Sequence, residues 1–411
     1  MKYFSEKDRE ICIEVLSKIA KNNDLIDDDN VLKGLVSKIY KARRKKNKKN
    51  KKSDDNNGHL YCYICKKKYT QLHFFYRSLC SQCAEFNYQK RYQTINLSNH
   101  IVVVTGGRIK IGYETSLKAL RDGAQVIVTT RFPKNAAIKF SDEKDFDNWK
   151  SRLKIYSMDL RNIYAIENFC GYLKKEFPYV SILINNAAQT IKRPQAFYRE
   201  LYEKETQQIS KEALVLLENK ETTNLQKQQT FLESKVNKLF PRGKTDTDGQ
   251  PLDLRDKNSW VLRLHQVQNV ELFEVNLVNS IAPFILIRNL KKMLLKSPIK
   301  KRFIINVSAM EGQFSRETKT SFHPHTNMAK ASLNMITRTS AQDFAVNSIY
   351  MNSVDTGWIT DENPISKRPQ GFTPPLDIID GAARVYDPVV SGINKDPLYG
   401  RFFKDYKSVD W

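Results

Sequence analysis

The chain has 411 residues, 40% of them hydrophobic, and a formal net charge of +23. That length suits one large domain plus a smaller module, and the apolar share is ample for a buried core. No run approaches roughly 18 consecutive apolar residues, so neither a transmembrane helix nor a membrane partner is expected. The first fifteen residues lack a basic-then-apolar pattern and carry Glu6, Asp8, Glu10 and Glu14, so neither a secretory signal nor an acidic-poor transit peptide is expected.

In chain order, residues 1–41 read as a helical segment of two amphipathic helices. Ser5 caps the first, whose apolar face is Ile11, Val15, Leu16 and Ile19; the second uses Val31, Leu32, Leu35, Val36 and Ile39. Residues 42–58 form a basic linker. Nine positive charges fall between Lys41 and Lys52, and the polar run 53–58 closes it. Such a block is either a solvated linker or a contact for RNA or an acidic protein.

A small module occupies 59–92. Cys62, Cys65, Cys80 and Cys83 form two CxxC knuckles separated by fourteen residues. Four thiolates at this spacing can enclose a structural Zn²⁺ tetrahedrally. A closed four-sulfur shell leaves no position for substrate, so no catalysis is expected there. Tyr61, Tyr63, Tyr69, Phe74 and Phe75, interleaved with Lys66, Lys67, Lys68 and Arg77, suit either the core of a small module or a grip on single-stranded RNA. Free thiols without a secretory signal point to a reducing compartment, cytoplasmic or nuclear.

From residue 98 the pattern alternates between strand and helix. Ile101–Val104, Gln125–Thr130, Leu153–Met158, Val180–Ile184, Arg302–Val307 and Ile349–Val354 read as strands. This predicts an α/β domain over 98–411, a Rossmann doubly wound parallel sheet. Polar residues at about 194–262 break the rhythm. They read as an insertion with helical stretches at Lys211–Asn219 and Gln226–Lys238; a lid, a partner surface and a solvated excursion all remain open.

The first strand runs into Thr105-Gly106-Gly107-Arg108-Ile109-Lys110-Ile111-Gly112. Gly106 allows a tight turn there, and Gly112 a close approach of helix and strand. The run resembles the TGxxxGxG motif of the short-chain dehydrogenases/reductases, with Lys110 at the middle glycine, where a lysine can neutralise phosphate. Asp159-Leu160, Asn185-Asn186-Ala187-Ala188 and Glu274-Val275-Asn276-Leu277 are similar to further segments of that family. So is the stretch from Asn352 to Asp361, with Thr356, Gly357 and Ile359. The resemblance spans 100–360. It implies a nicotinamide cofactor held by Thr105, Gly106, Arg108, Lys110, Ile111, Gly112, Asp159, Leu160, Asn186, Ala187, Lys330, Thr356, Gly357 and Ile359. It is also compatible with a homo-oligomer. An acidic residue at the end of the second strand would favour NAD. Arg131 stands there instead, and with Arg108 it can pair with a 2′-phosphate, which favours NADP(H).

Family enzymes use Ser, Tyr, Lys and Asn. By this resemblance Asn276 and Lys330 keep their places. Thr326 stands where the tyrosine belongs, and Ala309 takes the serine position beside Ser308. A threonine hydroxyl does not ionise near pH 7. His325, His323 and Glu311 are candidates to move the proton, although His323-Pro324-His325 also reads as a plain loop entering a helix. Two functions follow. One is an NADP(H)-dependent oxidoreductase with a degenerate Ser/Tyr pair, acting on a small carbonyl or alcohol. The other is a catalytically inactive scaffold or sensor that binds RNA or protein through the zinc module and basic run.

Overall fold

The computed structural model describes residues 60–219, 237–246, 249–316, 319–369 and 371–411, together with Ile11 and Glu14. The expected N-terminal helices and the basic linker lie outside the described residues, those two positions aside. The chain divides into two compact units: Met1–Tyr88 with Pro369–Pro375, and Gln89–Arg368 with Leu376–Trp411.

In the first unit, strands β1 (Leu60–Tyr61) and β2 (Lys68–Tyr69) pair antiparallel, and helix α1 (Ser81–Arg91) follows. The first CxxC knuckle turns between the two strands. Lys66 takes a left-handed conformation there, with φ 59°, and its N–H bonds back to the Cys62 carbonyl.

The second unit is built on an eight-stranded sheet. Its strands are β3 (Ile101–Thr105), β4 (Gln125–Thr130), β5 (Leu153–Ser157), β6 (Ile182–Asn185), β7 (Arg302–Ser308), β8 (Ile349–Asp355), β9 (Phe402–Lys404) and β10 (Lys407–Val409). They lie in the order β10-β9-β8-β7-β6-β3-β4-β5, parallel except for β10. Strand β3 explains the layering. Ile101 and Val103 enter one core while Val102 and Val104 enter another, as the two-residue period of a strand buried on both faces requires.

The Val102 face is covered by α2 (Lys110–Arg121), through Leu117 and Leu120, and by α3 (Pro133–Ser141), through Ala136 and Phe140. The Val103 face is covered by α4 (Ile163–Glu176), through Ile166, Phe169 and Leu173. The insertion begins with α5 (Arg199–Thr206) and α6 (Lys211–Leu214). The expected helix Lys211–Asn219 stops at Leu214 because the chain turns to run beside β5. Leu217 there forms a parallel bridge with Ile155. The expected helix Gln226–Lys238 begins outside the described residues.

Helices α7 (Asn269–Asn276) and α8 (Ala282–Lys296) join through a π-turn, Leu277–Ile281. This 28-residue helix is long and apolar enough, by length and composition, to cross a membrane. Its Leu286, Leu290 and Leu294 instead fill the Val103 core, with Ala341 and Phe344 of α9 (Pro324–Ala345). Helix α10 (Ile378–Asn394) covers the opposite face with Val385 and Val389. The doubly wound parallel sheet expected from the strand–helix alternation is therefore the observed architecture.

Candidate active site

The glycine turn lies at the carboxyl end of β3. The Thr105 hydroxyl accepts from the N–H groups of Asn186 and Ala187, while the Asn186 amide donates to the carbonyls of Thr105 and Gly106. These bonds tie the ends of β3 and β6 together. A Cβ on Gly112 would lie 2.4 Å from the Gly106 carbonyl oxygen, and one on Gly106 would lie 2.9 Å from Ala187. Both positions therefore exclude a side chain. Lys110 opens α2 with φ 54°, a conformation that suits the glycine usual at this place. Ile111 packs against Gly381, and Leu160 is buried.

At the ends of β4 and β5 stands a group of arginines. Arg108 is buried and donates to the side-chain carbonyls of Asn135 and Gln250, both neutral amides. Arg131 lies over the rings of Phe132 and Tyr198, 5.5 and 4.7 Å from their centroids. Among the described residues neither guanidinium forms an ion pair. Burial and the neighbouring Arg131 charge push Arg108 down to about 10. Arg131 is not lowered, because Tyr198 and Asp159 offset its burial. Asp159 is itself engaged by Arg161 at 2.6 Å. Burial would raise its carboxyl, but that pairing outweighs burial and holds it below the usual carboxylate range. Glu205 of the insertion is buried and accepts from the Lys134 and Asn135 N–H groups, capping the first turn of α3.

Between β7 and α9, Lys330 is buried and its ammonium donates to the Val307 carbonyl at 2.8 Å. Burial pushes it down to about 8, against the pull of Glu311 and Asp355. Four residues earlier on the helix, the buried Thr326 hydroxyl has no hydrogen-bond partner. Ser308 donates to Asn334 of α9 at 2.6 Å, which ties strand to helix. Asn276 donates to the Leu272 carbonyl one turn back, immediately before the π-turn. Asp355 accepts from the N–H groups of Met310 and Gly357, joining the loop after β7 to the segment that carries Thr356, Gly357 and Ile359.

The two histidines part company. The His325 side chain is sealed in, with Nε2 3.3 Å from Glu271 of α7, within ion-pair range but outside hydrogen-bond geometry. His323 instead lines a cleft of about 260 Å³ with Trp260, Glu311, Arg316, Lys319 and Asn327. Glu311 pairs with Arg316 at 2.7 Å.

A family model described as short chain dehydrogenase matches residues 100–229. An uncharacterized protein of Acanthamoeba polyphaga mimivirus is 33% identical over 371 residues, covering 84% of this chain and 74% of that one. The chain belongs to the short-chain dehydrogenase/reductase family. A (+)-neomenthol dehydrogenase of Capsicum annuum is 31% identical over 93 residues, 22% of this chain and 29% of its own. Two solved structures share the fold at a TM-score of 0.50. The NADPH-bound carbonyl reductase from chicken fatty liver is 16% identical over 77% of this chain and all of its own. The carbonyl reductase Sniffer of D. melanogaster is 18% identical over 76% of this chain and all of its own. Membership makes this a short-chain dehydrogenase/reductase-type oxidoreductase fold, with the glycine turn at the carboxyl ends of its strands.

The cysteine knuckles carry a second arrangement. The four sulfurs lie within 4.8 Å of one another, and Cys65 is 3.7 Å from Cys80. A tetrahedron with zinc–sulfur bonds of about 2.3 Å has edges of about 3.8 Å, so the cluster fits Zn²⁺. Tyr61, Phe74 and Phe75 stay exposed nearby in sequence, and Lys68 lies over the Tyr61 ring.

Sequence reasoning missed the partners of the candidate residues. Trp260, Tyr198, Glu205 and Gln250 all come from the polar insertion, and no local pattern marks them. Glu271 and Asn279 face inward from the long helix; Asn279 bonds both the N–H and the carbonyl of Gln189.

Proposed function

We propose that this chain is an NADP(H)-binding oxidoreductase whose family Ser/Tyr pair is degenerate, with Ala309 and Thr326 in those places. Its substrate would be a small carbonyl or alcohol. One observation carries the cofactor choice: buried Arg108 and half-buried Arg131 stand together with amides, aromatic faces and a phenol as direct partners. Two such cations call for an anion, and a 2′-phosphate supplies two charges and three acceptors. A pyrophosphate would sit at the N-terminal end of α2, with Lys110 in its first turn. When bound, the nicotinamide supplies or takes the hydride. Lys330, Thr356, Gly357 and Ile359 would hold its ribose and ring.

Titration calorimetry tests the choice. NADP⁺ should bind more tightly than NAD⁺, and Arg131→Ala should cost about tenfold or more for NADP⁺ alone. Equal affinity for the two nucleotides would overturn the reading.

A second reading has its own support. Thr326 and Ala309 lack the family's proton donor and carbonyl-orienting hydroxyl, and the cysteine module exposes aromatic rings beside lysines. A scaffold that holds cofactor while the module and basic run grip RNA would look the same. It predicts salt-sensitive binding of single-stranded RNA that weakens when 41–52 is deleted. Phe273, Phe284, Met328 and Met335 also stay exposed on α7, α8 and α9, which fits a homo-oligomer; light scattering of the purified chain tests this.

A further inference from the structure

We infer that His323 is the proton-transfer group of this oxidoreductase, standing in the cleft for the tyrosine hydroxyl that α9 lacks. The inference rests on the NADP(H) reading above. Three observations carry it.

The first is placement. The cleft of about 260 Å³ is walled by the loop after β7 through Glu311, by the first turn of α9 through Asn327, and by Trp260 of the insertion. His323 lines that cleft and immediately precedes the helix that carries Thr326 and Lys330. His325 lacks this access, since its side chain is 1% exposed and faces Glu271.

The second is the hold on the ring. His323 stacks on Trp260 with centroids 3.8 Å apart and planes 6° apart. Its backbone N–H donates to the Leu262 carbonyl at 2.8 Å. The residue sits in the left-handed region, at φ 42° and ψ 46°, which is unfavourable for any side chain. Backbone strain of this kind persists where the surroundings over-determine it, and it clusters at active sites.

The third is the tautomer. His323 Nδ1 is 2.9 Å from the Trp260 carbonyl oxygen. A carbonyl only accepts, so Nδ1 must carry the hydrogen, and Nε2 of the neutral ring keeps its lone pair. Two of the elements packed around the ring bring charged or titratable groups to it, Glu311 and Arg316 from the loop after β7 and His325 from α9, while the insertion brings the Trp260 carbonyl. Lys319 shares the cleft. Burial lowers the imidazole, the Trp260 carbonyl and Glu311 raise it, Arg316 and His325 lower it, and the balance is below its ordinary value.

The chemistry that falls to this side chain is the proton. In oxidation, neutral Nε2 takes the substrate's hydroxyl proton as the carbon gives its hydride to NADP⁺. In reduction, the protonated ring gives that proton to the carbonyl oxygen as the carbon receives hydride from NADPH, and the ring is then reprotonated by solvent.

The test has two arms on the full-length protein. In the first, ¹⁵N NMR of histidine-labelled protein with NADP⁺ bound, assigned with His323→Gln, should show the Nδ1–H tautomer and a midpoint below that of a free histidine. The Nε2–H tautomer overturns the inference. In the second, NADPH oxidation is followed with 4-nitrobenzaldehyde across pH. Turnover should fall as pH rises through the His323 midpoint. His323→Gln keeps a donor for the Trp260 carbonyl, so it should fold and bind NADPH while losing about 100-fold or more in kcat, with part restored by added imidazole. Wild-type turnover in His323→Gln overturns the inference, and so does wild-type protein that binds NADPH but reduces no aldehyde at any pH. In both cases the cofactor reading survives, whereas absent NADPH binding removes that reading as well.

Discussion

Lys110 shows how one residue can serve two opposed ends. It opens α2 in a left-handed conformation at the place where the family carries glycine. For an L-residue that conformation costs about 1–2 kcal/mol, partly offset by the chain entropy that a glycine would lose. Lys110→Gly should therefore raise the melting temperature of the nucleotide-free protein by about 1–3 °C. If Lys110 stands beside the pyrophosphate as proposed, the same change should weaken NADP⁺ several-fold in calorimetry, because that cation would be gone. A variant that melts lower and binds equally well would refute both arguments. His100 makes the pH argument. Burial pushes its imidazole down to about 4. An unfolded chain takes up that proton near pH 6.5 while the folded one does not, so stability falls as pH drops from about 6.5 towards 4. His100 alone accounts for up to about 2 kcal/mol between pH 7 and pH 5. Urea titrations at the two values should show a smaller loss in His100→Gln.

Elements differ in how openly they announce themselves. Strands β3 to β8 were legible because each is an apolar run with a turn or helix signal after it. The glycine turn was legible because only Gly112 lets α2 approach the Gly106 carbonyl. The hairpin of β9 and β10 was not. Its two-residue turn is Asp405-Tyr406, both with positive φ, in place of the usual asparagine and glycine. Tertiary contacts hold it instead: Arg384 of α10 pairs with Asp405 at 2.9 Å and lies over the Tyr406 ring. No window of local sequence contains that bond. The cysteine knuckles lie at the other extreme, being readable by spacing alone. Removing zinc by chelation, or by Cys62→Ser or Cys80→Ser, should release one equivalent of metal. Amide protection should then be lost over 60–88 while the eight-stranded sheet stays protected. Protected amides over 60–88 in metal-free protein would refute a structural zinc.

At the scale of the molecule, the site is assembled from segments far apart in the chain, which is why its residues were more legible than their partners. Lys330 and Asn276 were matched through the family resemblance, but what surrounds them depends on the insertion, whose polar composition allowed three roles. Trp260 and Gln250 now stand against His323 and Arg108, so part of the insertion borders the site. Its middle does something else. Leu217 runs beside β5, where Ile155 donates to the Leu216 carbonyl and accepts from the Glu218 N–H. The Asn219 side chain then bonds both the N–H and the carbonyl of Ser157, imitating a further strand. Without that strip, β5 would be the open rim of a hydrophobic sheet, ready to zip onto the rim of another molecule. Covering that rim should keep it from pairing with another chain. Glu218→Pro with Asn219→Ala removes one backbone donor and both amide bonds, together with the Glu218 contacts to Lys154 and Tyr172, which Glu218→Gln alone would test separately. On mild heating the double variant should form turbid, thioflavin-positive aggregate well below its unfolding midpoint, whereas the wild type stays clear up to its own.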